Sequence, residues 1–131
     1  MITITSSSTS NDDVPVVLHV AGRLDSQASI ELIGAVQKLI TAEKHEIIMD
    51  FQKLEAVSSE GLAALIQSKS KLQKMNGALR LANIHGPILE VFELVHFDRL
   101  FDVHSNIEDA FRQFAIERQS SNQPDDARSD N

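Results

Sequence analysis

Val57-Ser58-Ser59-Glu60-Gly61-Leu62 is the stretch that decides the fold, because a strand pattern gives way to a helix pattern across it. Before it, the apolar run at Ile47 to Met49 predicts a buried strand over Glu46–Asp50, and Phe51–Val57 is interpreted as a connector. After it, apolar residues recur every three or four positions, which predicts one buried helix face. These residues are Leu62, Leu65, Ile66, Leu72 and Met75.

The two serines of this stretch lie where the helix is predicted to begin. Serine is a favoured N-cap residue because its side-chain oxygen accepts a hydrogen bond from an N–H of the first turn, so Ser58 or Ser59 is predicted to cap the helix. The exposed amides and the helix dipole also favour an anion there, such as a phosphoryl group on a serine hydroxyl. The simpler alternative is that both serines act only as caps.

The alternation of strand and helix patterns continues on both sides of this stretch. Asn76-Gly77 supplies a stop for the central helix, because glycine adopts the left-handed conformation at low cost. A polar loop is predicted over Ser6–Asp13. The further predicted strands are Ile2–Thr5, Val14–Val20, Ala78–Ala82 and a short edge strand at Phe101–Val103. The further predicted helices run from a cap at Asp25 or Ser26 to near Lys44, from Gly86-Pro87 to Val95, and from Ile107 to Phe114 after a cap near Asn106.

This order of elements predicts an α/β fold with a mixed sheet of four to five strands, βαβ repeats and about four helices. Open sheets of this class place their ligands at the carboxyl ends of the strands. Asp25, Asp50 and the Ser58-Ser59 turn are therefore expected to cluster at that edge.

Length and composition limit the classes of function. A chain of 131 residues with a net charge of −7 is expected to be one domain that offers no surface for nucleic acid. Cysteine is absent, and no apolar run has the length of a signal peptide core or a membrane span, so a cytoplasmic location is expected. The folded domain is predicted to cover residues 1–117, and the polar stretch 118–131 is predicted to be a disordered tail.

Catalytic and metal chemistry are not indicated. The histidines are scattered without the close spacing of a metal site, and no glycine precedes the serines as a nucleophile elbow requires. Asp25 and Asp50 could form a carboxylate pair, but capping and strand-end roles account for both. The sequence therefore predicts a protein that is not an enzyme and that needs no cofactor or metal.

Four short blocks together resemble the STAS domain family over Met1 to Phe114. Each block alone is short and mostly apolar, and their order and spacing make the resemblance specific. The blocks are Gly22-Arg23-Leu24-Asp25-Ser26, Ile47-Ile48-Met49-Asp50-Phe51, Val57-Ser58-Ser59-Glu60-Gly61-Leu62-Ala63-Ala64-Leu65 and Leu79-Arg80-Leu81-Ala82-Asn83.

The resemblance implies an anti-sigma factor antagonist of a bacterial partner-switching pathway. Such a protein binds an ATP-binding anti-sigma factor that is also a serine kinase, is switched off by phosphorylation in the strand-to-helix turn, and is restored by a serine phosphatase. The residues expected at the partner surface are Asp25, Asp50, Ser58, Ser59, Glu60 and Gly61. The alternative is a structural or adaptor subunit of a larger stress-signalling or membrane lipid-transport complex.

This chain departs from the family pattern at the modified position. Much of the family has the phosphorylated Ser or Thr directly before the glycine, where this chain has Glu60. Phosphorylation could have moved to Ser59 or Ser58, Glu60 could be a permanent negative charge, or this protein could be unregulated. Ser59 is the favoured site of phosphorylation, with Ser58 as the alternative.

Overall fold

A computed structural model describes residues 2–7 and 15–122, which form one mixed sheet with helices on both faces. The predicted α/β class and mixed sheet are confirmed, with six strands in place of four to five. The strands are β1 (Ile2–Ser7), β2 (Val16–Leu24), β3 (Glu46–Asp50), β4 (Leu54–Val57), β5 (Ala78–Ala82) and β6 (Asp102–His104).

Five helices connect or follow these strands, one more than the sequence predicts. The additional helix is a single short turn at Phe97–Leu100, just before the last strand. No helix of the described residues is long and apolar enough to cross a bilayer. The helices are α1 (Ser26–Thr41), α2 (Ser59–Lys74), α3 (Gly86–Leu94), α4 (Phe97–Leu100) and α5 (Ile107–Asn122).

The sheet runs in the order β1-β2-β3-β5-β6, and β4 also pairs with β2. Among the described strands, the β1–β2 pair is antiparallel and each of the other pairs is parallel. The parallel partners are joined by connections that contain a helix, because parallel strands need a crossover connection. The long β2 borders β3 with its first half and β4 with its last residues. This arrangement carries the turn after β4 beyond the end of β3.

Alternate residues of the central strands face two separate apolar clusters. In β2, Leu18 and Val20 face the larger cluster and Val17 the smaller one; in β3, Met49 faces the larger cluster and Ile48 the smaller. Such strands are apolar on both sides because helices cover both faces of a largely parallel sheet. The larger cluster receives Leu32 and Val36 of α1, Leu65 and Leu72 of α2 and Phe92 of α3, and the smaller receives Ala110 and Phe114 of α5.

A buried arginine fixes α5 to the sheet. Arg80 of β5 is almost fully buried, forms ion pairs with Asp102 and with Glu117 of α5, and lies 5.1 Å from the centre of the Phe114 ring. Its Nη1 also donates to Nε2 of His104 at 3.1 Å. Burial and the neighbouring Arg80 charge lower the pKa of His104, which keeps its imidazole neutral as a hydrogen-bond acceptor.

Several predicted ends of strands and helices differ from those in the structure. The connector Phe51–Val57 contains β4, and the strand predicted to end at Val20 continues to Leu24 because β4 pairs with this extension. Ser6 and Ser7 belong to β1, and the rest of the predicted polar loop lies outside the described residues. The last helix continues past Phe114 to Asn122, into the segment predicted as a tail, and residues 123–131 lie outside the description.

The predicted stop of α2 is confirmed, but asparagine rather than glycine takes the left-handed conformation. Asn76 has φ of 61°, and the amide of Gly77 donates to Leu72 O at 2.8 Å, which closes a Schellman motif. A Cβ on Gly77 would lie 2.0 Å from the carbonyl oxygen of His45. Gly77 is therefore required by close packing against the chain that leads into β3.

Candidate functional site

The pairing of β4 with β2 positions the strand-to-helix turn. Val57 lies opposite Leu24 in the parallel register, so the chain leaves both strands at the same level of the sheet. The two exits lead directly into the first turns of α1 and α2. The beginnings of two helices therefore lie side by side at the carboxyl edge.

Ser58 is the N-cap of α2, and its side chain is fully engaged. Its Oγ accepts a hydrogen bond from the amide of Gly61 at 3.1 Å and donates to the carbonyl oxygen of Leu24 at 3.2 Å. Its own amide donates to the same carbonyl at 2.9 Å. Modifying this hydroxyl would break the cap and the link to β2 together.

Ser59 and Glu60 occupy the first two positions of α2 and are exposed. Neither position contributes to the apolar clusters beneath the helix. A negative charge here is favoured by the helix dipole, and Glu60 already supplies one. Of the two serines, Ser59 is the hydroxyl that a second protein can reach without disturbing the fold.

Gly61 lies against the end of β2. A Cβ built on Gly61 would meet Leu24 O at 2.5 Å and a side-chain carbon of Val57 at 2.9 Å. Gly61 was predicted to lie at the partner surface, but it is buried and can affect that surface only by positioning the turn. It allows α2 to begin close enough to β2 for the Ser58 hydrogen bonds to form.

Asp25 caps α1 beside this turn. One carboxylate oxygen accepts from the amide of Ala28 at 3.0 Å, and this hydrogen bond lowers the pKa of the Asp25 carboxyl. Arg23, Asp25 and Ser58 line a shallow depression of about 140 Å³ between the two helix starts. The structure thus brings together Asp25 and the serine turn, as the sequence predicts.

Asp50 does not join this group. It lies opposite His19 in the register of β2 and β3, whereas the serine turn is level with Leu24, five residues further along β2. At the rise of an extended strand, this separation is roughly 16 Å. The expected clustering of Asp50 with the turn is wrong because β4 extends the sheet beyond the end of β3.

Asp50 instead holds a hydrogen-bonded network that the sequence analysis missed. Its two oxygens accept from Nδ2 of Asn83 at 2.8 Å and the amide of Gln52 at 3.0 Å, and pair with Nδ1 of His19 at 2.7 Å. Burial raises the pKa of the Asp50 carboxyl, but the hydrogen bonds from Asn83, His19 and Gln52 outweigh it and lower that pKa below its usual value. Asn83 itself adopts φ of 63°, a conformation that asparagine tolerates.

The turn presents polar groups to solvent at the start of α2. It offers the exposed hydroxyl of Ser59 at the start of α2, with Glu60 next in sequence and the Asp25 cap at the start of the neighbouring helix. Within residues 2–7 and 15–122, no group of three His, Asp or Glu side chains is placed to hold a metal ion. A phosphoryl group added to Ser59 would add about −1.5 to −2 of charge next to Glu60, at the edge of the sheet where Asp25 also lies.

Comparisons with known proteins agree with this fold. The family model described as STAS domain matches residues 6–110. A candidate anti-sigma factor antagonist from Thermotoga maritima superposes with a TM-score of 0.77 at 16% identity, covering 86% of this chain and 94% of that one. An anti-sigma factor antagonist from Mycobacterium paratuberculosis gives 0.76 at 21%, covering 88% and 95%. The phosphorylated form of the Bacillus cell fate determinant SpoIIAA gives 0.65 at 19%, covering 85% and 98%.

Proposed function

The chain belongs to the STAS domain family, and we propose that it acts as an anti-sigma factor antagonist in a bacterial partner-switching pathway. In this role it binds an anti-sigma factor that is also an ATP-dependent serine kinase, and so releases the sigma factor. The kinase supplies the nucleotide, so this chain contributes a surface and a phosphate acceptor.

The proposal rests on the different environments of two adjacent serine hydroxyls. The Ser58 hydroxyl is committed to two hydrogen bonds, one of them to a carbonyl of β2, whereas Ser59 is exposed beside it. A turn held by hydrogen bonds and carrying an exposed hydroxyl suits a kinase, which must bind the acceptor in a defined geometry. Ser59 is therefore the proposed phosphorylation site, and a serine phosphatase would restore the free hydroxyl.

The proposed partner surface consists of Asp25, Ser59 and Glu60, with Ser58 and Gly61 holding the turn in place. The Asp25 carboxylate and the free Ser59 hydroxyl are expected to accept hydrogen bonds from the partner, whereas Glu60 is expected to weaken binding as a fixed negative charge. Phosphorylation at Ser59 adds charge and bulk to the centre of this surface, which weakens binding through repulsion and desolvation. Asp50 is proposed to support β3 and the loop after β5 rather than to contact the partner.

Binding to the cognate kinase tests the proposal. Asp25→Ala and Ser59→Asp are both expected to weaken binding in isothermal titration calorimetry, with circular dichroism spectra unchanged. The matched control is Lys74→Glu, an exposed charge change in the last turn of α2, about 22 Å along the helix from Ser59. Equal affinity for all variants would place the interface elsewhere on the chain.

The adaptor role predicts a different outcome of the same experiment. A structural subunit would bind its assembly through a surface that does not depend on a modifiable hydroxyl. Recovery of subunits of a transport or stress complex from the native cell, without a kinase, would therefore favour the adaptor role.

A further inference from the structure

An interior glycine of α1 is not explained by the fold. Gly34 lies in the middle of this helix on its solvent-exposed face, and a Cβ built on it would have nothing within 4 Å. Glycine disfavours helices relative to alanine, because it loses more backbone freedom on folding. A Cβ at Gly34 would meet no neighbouring atom, so the missing side chain leaves room above the helix.

The residues around Gly34 form a face suited to another helix. Ile30, one turn earlier, is 67% exposed although it is a large aliphatic residue. Glu31 lies three residues before Gly34 and Lys38 four residues after it, about 4.5 and 6 Å along the axis. The face therefore has an exposed apolar side chain at Ile30 and no side chain at Gly34. Two opposite charges, Glu31 and Lys38, lie at nearly equal distances on either side of Gly34.

A groove of about 600 Å³ runs beside the same face, between α1 and the edge of the sheet. Ile4, Leu18 and Leu39 contribute apolar surface to it, and Gly34 and Lys38 form part of its wall. A helix laid over Gly34 would border this groove and shield part of its apolar lining from water.

We propose that α1 pairs with α1 of a second copy of this chain, antiparallel and crossing at Gly34. A two-fold axis through the crossing places Glu31 of each copy opposite Lys38 of the other, which forms two equivalent ion pairs. The absent side chain at Gly34 allows the two backbones to approach closely, and Ile30 of each copy packs beside the crossing. The face is complementary to itself in both shape and charge.

The self-association is expected to be weak. A single helix pair with a groove edge buries less than the standard protein interface of about 1,600 Å², and even interfaces of that size extend down to micromolar affinity. The dimer therefore forms at high protein concentration and dissociates readily. It uses the outer face of α1, distinct from the Asp25 cap at its start.

Sedimentation equilibrium between micromolar and millimolar concentration tests this proposal with four variants. Glu31→Lys and Lys38→Glu each place like charges opposite one another twice in the dimer and are expected to weaken it about tenfold. The double variant Glu31→Lys with Lys38→Glu restores the opposite charges, so its dissociation constant is expected to return to within about twofold of the wild type. Gly34→Gln fills the crossing point and is expected to abolish the dimer.

Folding of each variant is checked by circular dichroism and thermal melting. Gly34→Gln is expected to raise the melting temperature while it abolishes the dimer, because glutamine is the better helix former and nothing lies nearby to clash. Because the melting temperature is expected to rise while the dimer affinity falls, loss of the dimer cannot be attributed to unfolding of the variant. A wild type that stays monomeric at millimolar concentration overturns the proposal, as does a double variant no better than either single variant.

Discussion

Ser58 is joined to Leu24 by two hydrogen bonds to one carbonyl oxygen, from its amide at 2.9 Å and from its hydroxyl at 3.2 Å. This link fixes the start of α2 to the end of β2. It also engages the Ser58 hydroxyl in hydrogen bonds within the fold, whereas the neighbouring Ser59 is exposed.

The serine pair should respond unequally to alanine substitution. Ser58→Ala removes the cap of α2 and the side-chain link to Leu24, and is expected to lower the free energy of unfolding by about 1 kcal/mol. Ser59→Ala changes an exposed first-turn position and is expected to lie within about 0.5 kcal/mol of the wild type. Urea unfolding of both variants gives the comparison, and equal losses would mean that Ser59 also supports the fold.

Gly61 and Gly34 form a matched pair for testing close packing. Gly61→Ala introduces a Cβ 2.5 Å from the carbonyl oxygen of Leu24 and is expected to destabilise the domain by about 1–3 kcal/mol. Gly34→Ala adds a Cβ with nothing within 4 Å and is expected to stabilise it by about 0.5–1 kcal/mol. Thermal melts at micromolar concentration compare the two. Similar shifts would show that α2 does not depend on its close approach to β2.

The Asp50 network predicts a particular dependence of stability on pH. Because the folded pKa of Asp50 lies below its unfolded value of about 3.8, its carboxylate stabilises the fold above that pH and stops doing so as the pH falls through the folded pKa. The Asp50→Asn variant is expected to have a lower free energy of unfolding than the wild type at pH 6. This difference is expected to shrink as the pH falls from 6 to 3. Urea unfolding across this range gives the two curves, and parallel curves would contradict the lowered pKa.

Glu60 tests whether a fixed charge limits binding. If it partly imitates the phosphorylated state, Glu60→Ala and Glu60→Ser tighten binding to the kinase partner, and the latter also creates a new acceptor hydroxyl before Gly61. This is the expected result, because Glu60 is exposed at the start of α2 next to the proposed site. A loss of about 1–3 kcal/mol in both variants would instead identify Glu60 as a contact to a partner cation.

The strands that carry long apolar runs could be predicted from sequence, and those that depend on distant partners could not. Glu46–Asp50 and Ala78–Ala82 have the predicted bounds because each is a short apolar run buried on both faces. Leu54–Val57 was missed, since four residues with no clear alternation become a strand only by pairing with Gly22–Leu24. That pairing joins segments about thirty residues apart, which a local pattern does not record.

In the candidate site, too, the local features could be predicted from sequence and the contacts between distant residues could not. Ser58 as a cap and Asp25 beside it follow from residue type and position, since both side chains bond within their own first helical turn. The separation of Asp50 from the turn depends on the missed strand. Its contact with His19 joins residues 31 positions apart, and no local signal could have identified it.

Phosphate mapping by mass spectrometry, after incubation with the cognate serine kinase and ATP, tests whether Ser59 is the regulated hydroxyl. Wild type, Ser58→Ala, Ser59→Ala and Glu60→Ser are compared, with native circular dichroism required of each. One phosphate is expected on Ser59 in the wild type, and it is expected to be retained in a folded Ser58→Ala variant and lost in Ser59→Ala. Wild-type protein that stays unlabelled, while Glu60→Ser is labelled at residue 60, would rule out Ser59 as the acceptor and show that the switch has been lost.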